Sequence, residues 1–401
     1  MGDARTYQLK IYDTPLAQFR FERTIAGFRA RGLEVDDAHA HLLPLNIMQA
    51  QNDVELDRFL SSRRIPKGRM YLENLLRPYG LNASDTKGII DLSRGVSVND
   101  AYSVVPAVDD IPYADYNLFE NDFDEVLQII AYTGVVPDGV VGNGRPSDLT
   151  LSGTFPKTWR KVDGKLVLYK AGSTVAAPNY GKEPFAEALA WQVARAGGFD
   201  AVEYGLTVWN GKVCSTCELF NTPEVSFVPF DLCLPAELSQ LCDFELALAY
   251  FADISPSAAE KFKSMAVFDS IVANTDRHVG NFGVLRDNRS GRILDAAPIF
   301  DNNVSLFTRD FDGALVLERL LDRTEQSPGI LEATLAWQGR AMLGESQRAQ
   351  VERLRAFEFD GDVIAESCGE HDGRAQRRAM SAARLEALEH FVRARAGALL
   401  N

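Results

Sequence analysis

The sequence predicts an α+β chain, rich in sheet early and in helix late. Three observations carry this. Short alternating segments joined by tight turns recur up to Pro229, helix-period segments dominate from Asp231 onward, and one turn-rich connector interrupts the chain at Val136-Pro137-Asp138-Gly139 and Gly142-Asn143-Gly144-Arg145-Pro146. With 401 residues, 46% hydrophobic and 24% charged, the chain has ordinary globular composition and room for two or three domains. The connector gives an amino-terminal α+β region over 1–146, a sheet-bearing lobe over 147–229 and a helical lobe over 230–401.

Taken in order, Tyr7 to Tyr12 and Ala17 to Phe21 alternate around Asp13-Thr14-Pro15, which predicts a hairpin. Helices are expected at Asp53 to Ser61 and Arg69 to Tyr79. Asn121 is a candidate cap for a helix whose Phe123, Val126, Leu127, Ile130 and Ala131 form one apolar face ending at Gly134. Trp159 to Val162 and Lys165 to Lys170 flank Asp163-Gly164, a pair suited to the two positive-φ positions of a type I′ turn. Glu183 to Ala196 and Ala258 to Ala273 have helical spacing, and Phe282 to Leu285 with Arg292 to Leu294 read as two short strands. The last helix buries Leu385, Leu388, Phe391 and Val392, leaving Arg384, Arg393 and Arg395 as an expected solvated face.

The most specific chemistry lies in Asn274-Thr275-Asp276-Arg277-His278-Val279-Gly280-Asn281-Phe282 and Ala297-Pro298-Ile299-Phe300-Asp301. Metal-assisted phosphoryl transfer needs a carboxylate to take the acceptor proton, an asparagine five residues on that turns back to hold a cation, and a second carboxylate between metal and phosphates. Asp276, Asn281 and Asp301 supply that order. Mg²⁺ takes few protein oxygens alongside phosphates and water, so Asn281 and Asp301 suffice as ligands and His278 orients the loop. Asp269, polar on an otherwise apolar helix face, either accepts hydrogen bonds from the loop backbone or is a solvated edge residue.

The same chemistry requires a lysine to hold the phosphates and an acid to hold the lysine. Lys170 ends a strand on the face of Leu166 and Leu168, where a cation needs an anionic partner. Glu187 shares a helix stripe with Ala190, Trp191 and Ala194 and can pair with it; Glu183 lies on the same side and competes. Ahead of the hairpin, Ser152-Gly153-Thr154-Phe155-Pro156-Lys157 is a small-residue turn ending in lysine, able to cover phosphates through backbone N–H groups and one ammonium. Glu218, Leu219 and Phe220 follow a strand where an adenine-reading hinge belongs.

Together these residues resemble the HipA-like serine/threonine kinases, the toxin kinases of bacterial toxin–antitoxin systems and their stand-alone relatives. The resemblance rests most on Asn274 to His278 with Asn281-Phe282, and on Pro298 to Asp301. It covers about Ser147 to Leu306 well. It implies a two-lobed protein-kinase-like fold with a small α+β amino-terminal region, ATP and Mg²⁺ as cofactors, and transfer of the γ-phosphate to a protein hydroxyl. Asp276 would be the base, with Lys170 and His278 completing the catalytic set. Nucleotide contacts would come from Ser152 to Lys157, Lys170, Glu187, Glu218 to Phe220, His278, Asn281 and Asp301. The family's phosphate loop carries an autophosphorylated serine; Thr150 stands at the matching position, with Ser147 and Ser152 as neighbouring alternatives. A protein substrate and an antitoxin-like partner are implied. Asp276-Arg277-His278 with Asn281 also resembles the catalytic loop of phosphoinositide kinases, so a phosphoinositide or small-molecule kinase is the alternative, and a nucleotide-binding pseudokinase module the third reading.

A formal charge of −14 argues against direct nucleic-acid or anionic-membrane binding, which depends on basic surface. No apolar run reaches a membrane span and no leader pattern is visible, so a cytoplasmic chain is expected. Five scattered cysteines make no disulfide framework, and Cys214-x-x-Cys217 lacks a second pair for zinc. His39 and His41, beside Asp36 and Asp37, read as a polar turn.

Overall fold

The computed structural model describes residues 5–25, 27–66, 68–136, 153–173, 181–361 and 380–401. The described chain divides into two compact units that interleave in sequence. The first comprises Met1–Leu168, Asn221–Leu241 and Val284–Leu294; the second comprises Tyr169–Phe220, Cys242–Gly283 and Asp295–Asn401. The α+β class read from the sequence is the class observed.

The first unit opens on strands β1 (Thr6–Ile11), β2 (Thr14–Thr24) and β3 (Gly27–Val35), which with β4 (Tyr102–Pro106) form an antiparallel sheet of order β3-β2-β1-β4. Its buried face takes Tyr7, Leu9, Ile11, Phe19 and Phe21, as the alternation requires. β3 escapes a pattern reading because Gly32 shifts the phase of its apolar–polar alternation, and β4 because all its side chains but the last are buried. Helices α1 (Leu45–Gln49), α2 (Asp53–Ser62), α3 (Leu72–Leu76), α4 (Thr86–Ser93) and α5 (Glu125–Thr133) belong to this unit. The helix expected over 69–79 is shorter: Tyr71 is left-handed at its start, and Pro78 turns its end into a 3₁₀ turn at Arg77–Tyr79. Asn121 does not cap α5. Asp124 does, accepting from the Leu127 N–H, while Asn121 donates to the carbonyls of Ala114 and Asn117. His39 and His41 lie in a 3₁₀ turn capped by Asp36, as read.

β5 (Lys157–Val162) and β6 (Lys165–Ala171) form the expected hairpin, with Asp163 at φ 50° and Gly164 at φ 78°. Their sheet runs β5-β6-β8-β7. In the second unit stand α6 (Glu183–Gly197), β7 (Gly205–Trp209) and β8 (Lys212–Glu218), the last carrying buried Cys214 and Cys217 as reduced cysteines. β9 (Val225–Pro229) and α7 (Ala236–Gln240) return to the first unit, and α8 (Phe244–Ile254) and α9 (Pro256–Val272) lie in the second. β10 (Gly283–Asp287) and β11 (Ile293–Ala296) join β9 in a sheet of order β11-β10-β9. α10 (Leu317–Gln326), α11 (Leu335–Ala341), α12 (Glu345–Glu352) and α13 (Ala382–Leu400) complete the helical part.

The solvated arginine face expected on α13 fails at two of its three members: Arg384 and Arg395 are each 1% exposed, while Arg393 stays partly exposed. Leu306 and Phe307 adopt left-handed backbone, which leaves their carbonyls outside any ladder, and the Arg384 guanidinium donates to both. Arg395 donates to the Ser270 carbonyl and hydroxyl and to Glu325. Polarity alone misassigns these side chains because the acceptors they serve are distant in sequence.

Candidate active site

α9 is the base on which the site is built. Ser255 caps its start, and Ala273, left-handed at φ 52°, stops it so that the chain turns at once into the Asn274–Asn281 loop. That loop is folded by its own polar groups. The Asp276 N–H donates to Asn274 Oδ1 at 3.1 Å, and the Asp276 carbonyl accepts from the His278 N–H at 2.8 Å and from Asn281 Nδ2 at 3.3 Å. His278 Nδ1 accepts from the Gly280 N–H at 3.1 Å, which leaves the ring proton on Nε2 when the imidazole is neutral. The asparagine five residues past the aspartate therefore does turn back toward it, while the Asp276 carboxylate is left exposed.

Beneath the loop lies Arg277, a residue the motif contains but to which sequence reasoning gave no role. It is fully buried. Its Nε and Nη2 grip Asp269 at 3.0 and 2.9 Å, Nη1 donates to the carbonyls of Asn281 (3.0 Å) and Phe300, and Nη2 also reaches Asn302 Oδ1 at 2.7 Å. One guanidinium thus ties together α9, the Asp276 loop and the loop of Asp301. Asp269 is therefore no solvated edge residue, but its carboxylate accepts from the side chains of Arg277 and Asn274 rather than from the loop backbone. Burial would depress the Arg277 pKa, but Asp269 holds it above the ordinary arginine range. Burial pushes the Asp269 carboxyl up against the pull of Arg277. The available signal was the odd aspartate on an apolar stripe, with an arginine two turns on.

Asp301 follows the parallel bridge between Ala201 and Ile299 and is itself left-handed at φ 54°, a strained conformation of the kind that collects at working sites. Its N–H donates to the Tyr204 hydroxyl at 3.1 Å. Its carboxylate meets Lys170, 5% exposed on β6, at 2.6 Å, and the same ammonium meets Glu187 on α6 at 2.9 Å. The other Glu187 oxygen accepts from the Asn302 N–H at 2.9 Å. Glu187 is thus the partner of Lys170, and Glu183 turns elsewhere, accepting from the Ser173 N–H. Burial works against the Lys170 charge, yet Asp301 and Glu187 outweigh it and lift the ammonium well above the ordinary lysine range. Burial likewise pushes the Glu187 carboxyl up, opposed by Lys170, and the Tyr204 phenol far up.

Glu218 ends β8, and Phe220 packs its ring 5.3 Å from Phe300, next to Asp301. Buried Cys217 on the same strand has its thiol pushed up to about 12 by desolvation. Beside the Asp276 loop opens a cavity of about 200 Å³, lined in part by Ala273, Thr275, Val304, Phe307, Thr308 and Arg323. Gly153 to Lys157 belong to the first unit. Gly153 is left-handed at φ 85°, and a Cβ there would sit 2.4 Å from Lys157 Nζ, so the lysine curls over its own turn. The Thr154 carbonyl accepts from the Met70 N–H and the Lys157 carbonyl from Arg69, which fixes both ends of the turn. Thr150, Ser147 and Ser152 lie outside the described residues. Among those described, no cluster of three or more His, Cys, Asp or Glu forms a metal cage.

The fold is of the HipA-like kinase class. The chain superposes on HipA of a Shewanella oneidensis toxin–antitoxin system, solved with HipB and operator DNA, with TM-score 0.57 and 14% identity over 98% of this chain and 97% of that one. It is also similar to the serine/threonine-protein kinase CtkA of Helicobacter pylori, 27% identical over 163 residues, which are 38% of this chain and 49% of CtkA. The chain thus spans about half the length of that curated relative. The crystal structure of CtkA gives TM-score 0.48 and 19% identity over 62% of this chain and 89% of that one. No family model matches. Among the described residues no helix is long and apolar enough to cross a membrane.

Proposed function

We propose that the protein is an ATP- and Mg²⁺-dependent serine/threonine kinase that transfers the γ-phosphate to a protein hydroxyl. The observation that carries this reading is the Lys170 ammonium held between Glu187 and Asp301, together with the Arg277 guanidinium that bonds both the Asn281 carbonyl and Asn302 beside Asp301. A carboxylate and an amide oxygen are hard donors of the kind Mg²⁺ prefers, so Asp301 and Asn281 fit as its protein ligands. Bound there with ATP, the cation would neutralise charge on the phosphates.

The remaining work falls to the chain's own groups. Lys170, kept protonated by its two carboxylates, holds phosphate oxygens. Exposed Asp276 orients the acceptor hydroxyl and takes its proton. His278, engaged through Nδ1 by its own loop, keeps the loop's shape. Glu218 to Phe220 read adenine, and the cavity beside Thr275 admits the acceptor segment. An antitoxin-like protein partner is part of the proposal, by analogy with the HipA that was solved with HipB. The acidic net charge disfavours direct contact with nucleic acid.

The test is incubation with Mg²⁺ and radiolabelled ATP, with and without protein acceptors, beside phosphoinositide vesicles as a separate arm. Label should enter protein, and Asp276→Asn should slow transfer by about 10²–10⁴-fold while nucleotide binding persists. Equal, minimal labelling of both proteins would favour a nucleotide-binding module, and label in lipid alone a phosphoinositide kinase. Phosphate on the 147–157 peptide, found by mass spectrometry, would identify Thr150, Ser147 or Ser152 as an autophosphorylation site.

A further inference from the structure

Asn281 and Asp301 belong to the second unit, yet Val284–Leu294, the stretch of chain between them, belongs to the first. The hairpin β10-β11 begins at Gly283, just past Asn281, and ends at Ala296, just ahead of Asp301. The Ala297 N–H donates to the Gly283 carbonyl at 2.9 Å, so both strands leave from one closed base. Any displacement of the hairpin is therefore delivered to both proposed metal ligands together.

The first unit holds this hairpin by a built seat. Arg286 is 2% exposed, and its guanidinium donates to the carbonyls of Leu43 (2.6 Å), His41 (2.7 Å) and Gly291 (2.8 Å) and to the Tyr102 hydroxyl (2.9 Å). These acceptors come from the turn before α1, from β4 and from the hairpin's own bend. At that bend Gly291, at φ 70°, lies so close that a Cβ would fall 2.2 Å from the His41 carbonyl oxygen. On the other flank Asn288 donates from its backbone to Glu224 (2.8 Å) and from Nδ2 to Pro223 (2.7 Å), and accepts from the Ser226 hydroxyl. Three separate stretches of the first unit thus converge on one bend.

We infer that the amino-terminal unit sets the placement of Asn281 and Asp301 through this hairpin, with Arg286 as the positioning residue. The inference rests on the kinase reading for the role of those two ligands. Outer partners that orient metal ligands change affinity by about 10–100-fold when lost. His41, Leu43 and Tyr102, within the 1–146 region to which the sequence assigns no role, would then be determinants of cation affinity.

The test compares wild type, Arg286→Met and Leu75→Ala, the last a cavity in an apolar cluster of the same unit (with Ile65, Leu72 and Ile130) that does not touch the hairpin. Mn²⁺ binding in the presence of a non-hydrolysable ATP analogue is read by electron paramagnetic resonance, and amide exchange by mass spectrometry. Arg286→Met should weaken Mn²⁺ by about tenfold and speed exchange at 281–283 and 297–302. Leu75→Ala should change neither. Equal effects of the two variants, or unchanged affinity and exchange in Arg286→Met, overturn the inference. If Arg286→Met does not fold, Tyr102→Phe removes one acceptor and keeps the ring; unchanged exchange at the same amides then overturns it. If wild type binds no Mn²⁺–nucleotide, the kinase reading fails, and the exchange comparison still decides whether Arg286 positions the two loops.

Discussion

Arg277→Met is the sharpest probe of how the site is held. The side chain makes five hydrogen bonds and is fully buried, as is its partner Asp269. Removing the guanidinium strands the Asp269 carboxylate and leaves the carbonyls of Asn281 and Phe300 short of a donor. Breaking a buried pair from one side costs about 3–5 kcal/mol, most of it the isolated charge. Pairing Arg277→Met with Asp269→Leu strands no charge, so the double variant should regain about 1–3 kcal/mol relative to additivity. The assay is urea unfolding by fluorescence in a Trp159→Phe background, where the remaining Trp191, Trp209 and Trp337 all report the second unit. A loss below about 1 kcal/mol for Arg277→Met, or strict additivity in the double variant, would refute the claim that this arginine is the keystone of the two loops.

Three further outcomes follow from the geometry. Lys170→Met should slow phosphoryl transfer by about 10²–10³-fold, the usual loss when one preorganised donor to developing charge is removed. It should also destabilise the fold by about 3–5 kcal/mol, because Glu187 is left buried with Asp301 beside it. Since the folded Lys170 pKa lies above the unfolded one, its contribution is complete below about pH 10.4 and is lost only as pH rises through the folded value. In Lys170→Met the stranded carboxyls of Glu187 and Asp301 are pushed up, so the stability deficit of the variant should shrink as pH falls and they take up protons, and a deficit independent of pH would count against the assignment. Gly153→Ala forces a side chain into a left-handed position against Lys157 Nζ and should cost about 1–2 kcal/mol of stability, read by urea unfolding; an unchanged midpoint would refute it. In a Cys368→Ser background, a thiol reagent near neutral pH should label Cys242 before Cys214, Cys217 or Cys233, which are buried, and Cys217 should react only on unfolding.

The sequence made legible whatever is local. The positive φ of Asp163 and Gly164, the helix that stops before Asn274, and the return of Asn281 toward Asp276 each follow from a few adjacent residues. Glu187 could be shortlisted for Lys170 because both sit on faces where an unpaired charge is costly. What remained hidden is what depends on distant acceptors. Arg384 and Arg395 read as a solvated face and Arg277 and Arg286 carry no role in the sequence reading, yet each is buried against acceptors contributed from elsewhere along the chain. Arginine patterning carries no information about which irregular backbone will need its five donors.

These buried arginines share one physical logic. Left-handed residues Ala273, Asp301, Leu306 and Phe307 surround the Asp276 and Asp301 loops, and each such residue costs energy that ordinary helix or strand would not. Irregular backbone also leaves carbonyls outside any ladder, and in a buried loop an unpaired carbonyl is costly. Arg277 answers for Asn281 and Phe300, and Arg384 for Leu306 and Phe307, each spanning two acceptors that a lysine's single ammonium cannot fix in a plane. The strain is thus sustained by fork-shaped donors anchored on helices. Arginine-to-lysine changes at these positions, conservative in charge, should therefore loosen the loops they leave unsatisfied.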